Sequence, residues 1–146
     1  MIAVLVATVF AAIALVHVYW AFGGRLGKEA AVPRAPARPD ADAGTPLRAA
    51  FEPSTAATLA VAVAMAGVAV LVCLRGGLFG ESAWQWLIGP VLGIVALALF
   101  ARAVGDFKLV GFFKRRTDSR FATMDTWFYS PLCVALGAGL IAIVLA

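Results

Sequence analysis

A handful of polar side chains at the edges of long apolar stretches are the parts of this chain with chemistry available to them. His17 is the single histidine of the sequence, with Trp20 three positions further on. Arg102 and Asp106 stand four apart, as do Asp125 and Tyr129, the spacing that places two side chains on one face of a helix. Lys108 and Lys114 lie nearby in sequence. An imidazole titrates close to neutrality and a carboxylate can orient it, so His17 with Asp106 or Asp125 is the one pairing suited to general acid–base work. Trp20 would add an indole face able to stabilise a cation. The same groups have structural uses. Arg102 can snorkel to headgroups and pair with Asp106, Asp125 can cap a helix, and His17 can tie two helices together. Tyr19, Trp20, Trp84, Trp86, Trp127 and Tyr129 also suit an interfacial aromatic belt.

The rest of the inventory excludes much. One histidine cannot furnish a bis-histidine haem or a His-rich metal centre within one chain. The two cysteines, Cys73 and Cys133, form no CxxC pair. They are expected near opposite ends of the molecule, much further apart than the ~4.4–6.8 Å between Cα atoms that a disulfide needs. Quinone-reducing thiol chemistry and a Cys-ligated zinc site are both poorly supported. No glycine-rich phosphate loop follows a strand, and no strand is expected. No cofactor and no metal is therefore expected.

The elements that must position these residues follow from composition. The 146 residues are 63% hydrophobic and 14% charged, with a mean hydropathy of +0.96. Soluble domains carry ~45–50% apolar and ~25% charged residues, so a disordered chain, a nucleic-acid-binding domain and a disulfide scaffold are ruled out. What remains is an all-α integral membrane bundle of four transmembrane helices forming a single domain. A hydrocarbon core of ~30 Å needs ~20 apolar residues at the helical rise, and spans are predicted at about 2–22, 56–74, 84–104 and 127–146. A signal peptide is the competing reading of the first stretch, but nothing basic precedes Ile2 and the run is long enough to span.

Lysine and arginine set the orientation. Arg25, Lys28, Arg34, Arg38 and Arg48 follow the first span; Lys108, Lys114, Arg115, Arg116 and Arg120 follow the third; Arg75 alone follows the second. The 23–55 and 105–126 connections are thus expected in the cytoplasm, with both termini outside, and the net charge of +4 is first a topology signal. Arg115 and Arg116 are also placed to touch anionic headgroups. The asymmetry argues against a dual-topology small multidrug transporter, as does the lack of an ion-coupling carboxylate inside any span.

Pro33, Pro36, Pro39 and Pro46 punctuate residues 23–55, which reads as an extended, flexible loop until Ser54 or Thr55 caps the second span. Phe121, Met124 and Phe128 predict a short amphipathic helix at the interface before the fourth span. Ser130-Pro131 offers a cap and first-turn proline, so the last helix begins either there or near Trp127. Ala3, Ala7, Ala11 and Ala14 form a small-residue stripe on the first helix, Gly89 and Gly93 a GxxxG on the third, and Gly137 and Gly139 mark the fourth. Such faces pack helices in lipid and can also support a homo-oligomer. His17, ~7 Å from the cytoplasmic end of its helix, lies near the alanine stripe. His17, Trp20, Arg102, Asp106, Lys114, Asp125 and Tyr129 all fall on one rim.

At these residues the sequence resembles a family of small bacterial integral membrane proteins known as domain of unknown function 3995. The stretches His17 to Gly24, Arg102 to Lys114 and Asp125 to Leu132 look like its three ordered motifs, and the likeness covers essentially the whole chain. Its signature residues fall on His17, Trp20, Gly23, Gly24, Arg102, Asp106, Lys114, Asp125 and Pro131. The resemblance implies four membrane helices and a cell-membrane location, and it carries no activity. Two functions remain in view. One is a non-enzymatic protein whose rim pocket, lined by His17, Trp20, Asp106 and Asp125, binds a lipid, an isoprenoid or a partner helix. The alternative is an intramembrane enzyme on a lipid-like or isoprenoid-like substrate, with His17 as the proton-transfer group.

Overall fold

The computed structural model describes residues 1–36, 47–50, 52–80, 83–115 and 119–146, without the side chains of 34–36 and 47–48. The predicted loop positions Arg38, Pro39 and Pro46, together with Arg116, lie outside the described residues.

Apolar sequence of spanning length becomes helix wherever it occurs. Helix α1 covers Ile2–Ala21, α3 Thr55–Arg75 and α4 Gln85–Val104. The fourth element is composite, with α5 (Arg120–Met124), a π-helical turn (Asp125–Tyr129) and α6 (Ser130–Leu145) in unbroken succession. Among the described residues four helices are thus long and apolar enough to cross a membrane, the last reaching from Arg120 to Leu145. Between α1 and α3 lie a single turn, α2 (Lys28–Ala31), and two three-residue strands, β1 (Arg34–Pro36) and β2 (Leu47–Ala49). The strands pair antiparallel, Arg34 opposite Ala49 and Pro36 opposite Leu47, so the proline-rich connection contains a small ladder where no strand was expected.

Local chemistry explains the ends. The Ser54 hydroxyl accepts the Ala57 amide at 3.1 Å and caps α3. Ser119 does the same for α5, accepting from Ala122 at 3.1 Å. This cap, missed in the sequence, starts the last span seven residues before Trp127. Ser130 is no cap: its amide continues the ladder to the Asp125 carbonyl through the wide turn. Pro131 lacks the amide that would bond Trp127, and widening the helix just before it accommodates the proline without a break. The separate amphipathic helix is corrected accordingly. Phe121 is buried, but Met124 and Phe128 are exposed, because the segment is the first turn of a membrane helix that turns Phe121 and Asp125 inward.

Packing joins α1 to α3 and α4 to α6 most extensively, with α3 against α4 and α1 against α6 closing the bundle. Phe10, Val72, Leu92 and Leu140 are its fully buried centre. Large apolar side chains such as Leu5, Leu15, Val63, Ile94 and Leu97 cover the outside, as a lipid-facing surface requires. Of the alanine stripe, Ala7 and Ala14 are buried and Ala3 packs against the core, but Ala11 is exposed; the 100° advance per residue carries it off the face. The close approaches occur elsewhere than the GxxxG: a methyl on Gly139 would meet Val6 at 2.7 Å and one on Gly137 would meet Phe100 at 2.9 Å, whereas Gly93 has nothing within 4 Å.

Candidate functional site

The polar centre of the molecule is built on Asp125, the first residue of the π-helical turn. Its side chain is wholly buried. Arg102 Nη2, in the last turn of α4, donates to Asp125 Oδ1 at 2.7 Å. Lys114 Nζ and the Gly111 backbone amide both donate to Oδ2, at 3.1 and 2.7 Å. Lys114 also donates to the Gly111 carbonyl at 2.9 Å and to Thr126 Oγ1 at 2.6 Å, so its three ammonium hydrogens are all engaged. A carboxylate out of contact with water persists only with such partners, since an unpaired buried charge is strongly disfavoured.

The stretch from Gly105 to Lys114 supplies two of these donors, the Gly111 amide and the Lys114 ammonium. Gly105 and Gly111 have φ of 91° and 88°, a region side chains rarely adopt. Their backbones also pass so closely that a Cβ on Gly105 would strike the Val110 carbonyl. Inside the loop, Asp106 Oδ1 accepts the amides of Lys108, Leu109 and Val110 at 2.8 to 2.9 Å. Partial desolvation pushes the Asp106 carboxyl up, but those backbone donors together outweigh it and hold it below the usual carboxylate range. Asp106 is thus the staple of the loop. It does not pair with Arg102, because α4 ends at Val104 and the i, i+4 relation never forms in helix.

The remaining candidates lie apart from this network. His17 Nδ1 faces the Ile13 carbonyl at 2.8 Å; since a carbonyl can only accept, Nδ1 carries the proton. The ring meets Trp20 edge-on, centroids 5.1 Å apart, and Trp20 Nε1 donates to the Leu26 carbonyl at 2.8 Å. Among the described residues no hydrogen bond or ion pair joins His17 to a carboxylate. The predicted acid–base pairing with Asp106 or Asp125 is therefore not assembled. Both carboxylates have nearer partners, and the His17 proton is used within its own helix. Tyr129 packs at a tilt against Phe121 and edge-on against Phe128. Lys108 is exposed.

Chemically, two cations face one carboxylate. Arg102 remains reachable, its side chain 35% exposed, and its Nη1 is buried with no partner, as is the Ser130 hydroxyl. The net positive charge of the cluster can therefore attract an anion. Among the described residues no three His, Cys, Asp or Glu side chains come together to hold a metal.

Sequence reading missed Gly105, Gly111 and Thr126. The two glycines carried a signal in their flanking of Asp106, but the pairing of Gly111 with Asp125 spans fourteen positions and is set by the loop's return.

No curated protein and no solved structure matches this chain. A family model described as a protein of unknown function, DUF3995, matches residues 10–140. That stretch contains α1 from Phe10 onward, all of α3 and α4, the Gly105–Gly111 loop and Asp125 with both of its cations, so the chain belongs to the DUF3995 family.

Proposed function

We propose that this protein is a non-enzymatic component of the bacterial cell membrane that binds the anionic end of a lipid-like molecule at the Arg102–Lys114–Asp125 cluster. The observation that carries this reading is the charge imbalance: two cations surround one buried carboxylate, and the Arg102 side chain remains 35% exposed. The excess of basic residues in the 23–55 and 105–126 connections favours the cytoplasmic side for this rim and the outside for both termini. A reporter fused at residue 40 is expected inside the cell; finding it outside would reverse the orientation.

The enzymatic alternative, with His17 moving protons on an isoprenoid-like substrate, draws less support, because His17 is bonded to its own helix and, among the described residues, to no carboxylate. The deciding experiment is native mass spectrometry of the protein released from nanodiscs of mixed zwitterionic and anionic phospholipid. Wild type is expected to retain an anionic amphiphile, Arg102→Gln to lose it, and His17→Ala to keep it. Equal retention by wild type and Arg102→Gln would sink the proposal.

A further inference from the structure

The connection between α4 and α5 displays aromatic rings that the Asp125 cluster does not use. Phe107, Phe112 and Phe113 are 56%, 44% and 63% exposed, and the rings of Phe107 and Phe113 lie 6.3 Å apart at a tilt. From Gly111 to Arg115 the chain divides its residues by direction. Gly111 and Lys114 are buried and bonded to Asp125, whereas Phe112, Phe113 and Arg115 are exposed. Phe107, alone among the described non-glycine residues, has a positive φ, of 60°. Glycine or asparagine fills that conformation more readily, so a phenylalanine held there with its ring outward serves the ring rather than the backbone.

Backbone hydrogen bonds fix the height of these rings. The Phe112 amide donates to the Ala103 carbonyl at 2.8 Å, and the Asp106 amide to the Val110 carbonyl at 3.2 Å, so the chain leaves α4 and returns beside its last turn. Helix α4 has 20 residues, which span ~30 Å at the helical rise and match the hydrocarbon core. Trp84 and Trp86, exposed at its start, suit the interface at the other end. The last turn of α4, where Val104 is also exposed, thus lies at the hydrocarbon boundary, with Phe112 beside it. The headgroup layer beyond is only ~5–8 Å thick, so rings at this level meet lipid before water. Lys108 and Arg115 are exposed on the same stretch. They outnumber its one exposed carboxylate, Asp106, whose Oδ1 is engaged by three backbone amides.

We propose that residues 107–115 form an interfacial anchor seated in a leaflet rich in anionic phospholipid. The three phenylalanine rings lie among the glycerol and upper acyl positions, and Lys108 and Arg115 reach the headgroup phosphates. The anchor is separate from the anion site at Arg102 and does not depend on it.

The test uses the full chain in nanodiscs of mixed phosphatidylcholine and phosphatidylglycerol, one of the two carrying a diazirine near the carbonyl end of an acyl chain. Photolysis is followed by peptide mapping. Adducts are expected on Phe107, Phe112 and Phe113 at a level comparable to Val104, and about fivefold more of them from phosphatidylglycerol than from phosphatidylcholine. Lys108→Gln with Arg115→Gln should bring the two lipids close to parity. Phe107→Asn with Phe113→Asn, the first of which suits the left-handed backbone, should lower labelling of Phe112 several-fold while Val104 is labelled as before. Arg102→Gln, which disables the anion site, should leave the loop adducts in place; their loss would overturn the independence of the two sites. Labelling of Val104 with none on the three phenylalanines would overturn the proposal. So would equal labelling of the wild-type loop by the two lipids, or wild-type labelling of Phe112 in the double asparagine variant.

Discussion

Arg102 Nη2 and Asp125 Oδ1 lie 2.7 Å apart although 23 positions separate the residues. The contact fastens the end of one membrane helix to the π-helical turn of the next. Lys114, from the connection between the two helices, completes the cluster at 3.1 Å. Gly111 and Lys114 are thereby held over the carboxylate.

Breaking this network from its centre should be expensive. Asp125→Asn leaves two buried or half-buried cations without a counter-charge, and removing one partner of such a pair typically destabilises by ~3–5 kcal/mol. Thermal unfolding in detergent should show a melting temperature lowered by several degrees. The triple change Arg102→Met, Lys114→Met, Asp125→Leu should recover much of that loss, because no charge is then stranded. A single Asp125→Asn variant as stable as wild type would contradict the burial described above.

Gly105→Ala should unfold the loop rather than trim it. The added methyl meets the Val110 carbonyl, and a side chain at φ 91° is strained in any case, at ~1–3 kcal/mol before the collision is counted. Hydrogen exchange at the Gly111 amide is the direct readout: protected by Asp125 in the wild type, it should exchange as an open loop in the variant.

Asp106 predicts an acid-sensitive loop, and the sign follows from its depressed pKa. A carboxyl held below its ordinary value of ~3.8 in the folded state stabilises that state above the unfolded pKa. The stabilisation disappears as the pH falls through the folded value. The melting-temperature difference between wild type and Asp106→Asn should therefore be constant from pH 7 to about pH 5 and shrink below about pH 4. A difference that grows on acidification would contradict the backbone stapling.

His17→Gln should be nearly silent for folding, within ~0.5 kcal/mol, because a glutamine amide can donate to the Ile13 carbonyl as the imidazole does. Complementation of a deletion strain then separates the two functional readings. Rescue by His17→Gln is expected. Failure of a folded His17→Gln protein to rescue would favour proton transfer.

The small residues of the bundle should sort by contact rather than by motif. Gly139→Leu should destabilise measurably against Val6, while Gly93→Ala should be neutral or slightly stabilising, since nothing lies within 4 Å of it and alanine is the better helix former. Parallel melts of the two variants check this directly.

Much of the architecture was open to reading because each step is local. Hydrocarbon thickness demands ~20 apolar residues per helix, and the sequence supplies four such runs, so α1, α3 and α4 were placed within a residue or two. The Ser54 cap was legible because it acts over three residues. The gathering of Arg102, Lys114 and Asp125 on one rim followed from chain direction alone: successive helices alternate direction, so the end of α4 and the start of the last span must meet.

The sequence could not say which of those groups pair. Arg102 had a carboxylate four positions away in Asp106 and another 23 away in Asp125, and local spacing favoured the nearer. Tertiary structure chose the farther one. Gly105 ends α4, so Asp106 leaves the helix and spends its oxygen on three backbone amides. Ser119 starts the last helix early, and the wide turn before Pro131 brings Asp125 to the inside. Spans are fixed by the solvent each residue must meet, a property of the residues themselves. Partners inside a buried polar cluster are fixed by where a folded loop returns, which only the assembled structure decides.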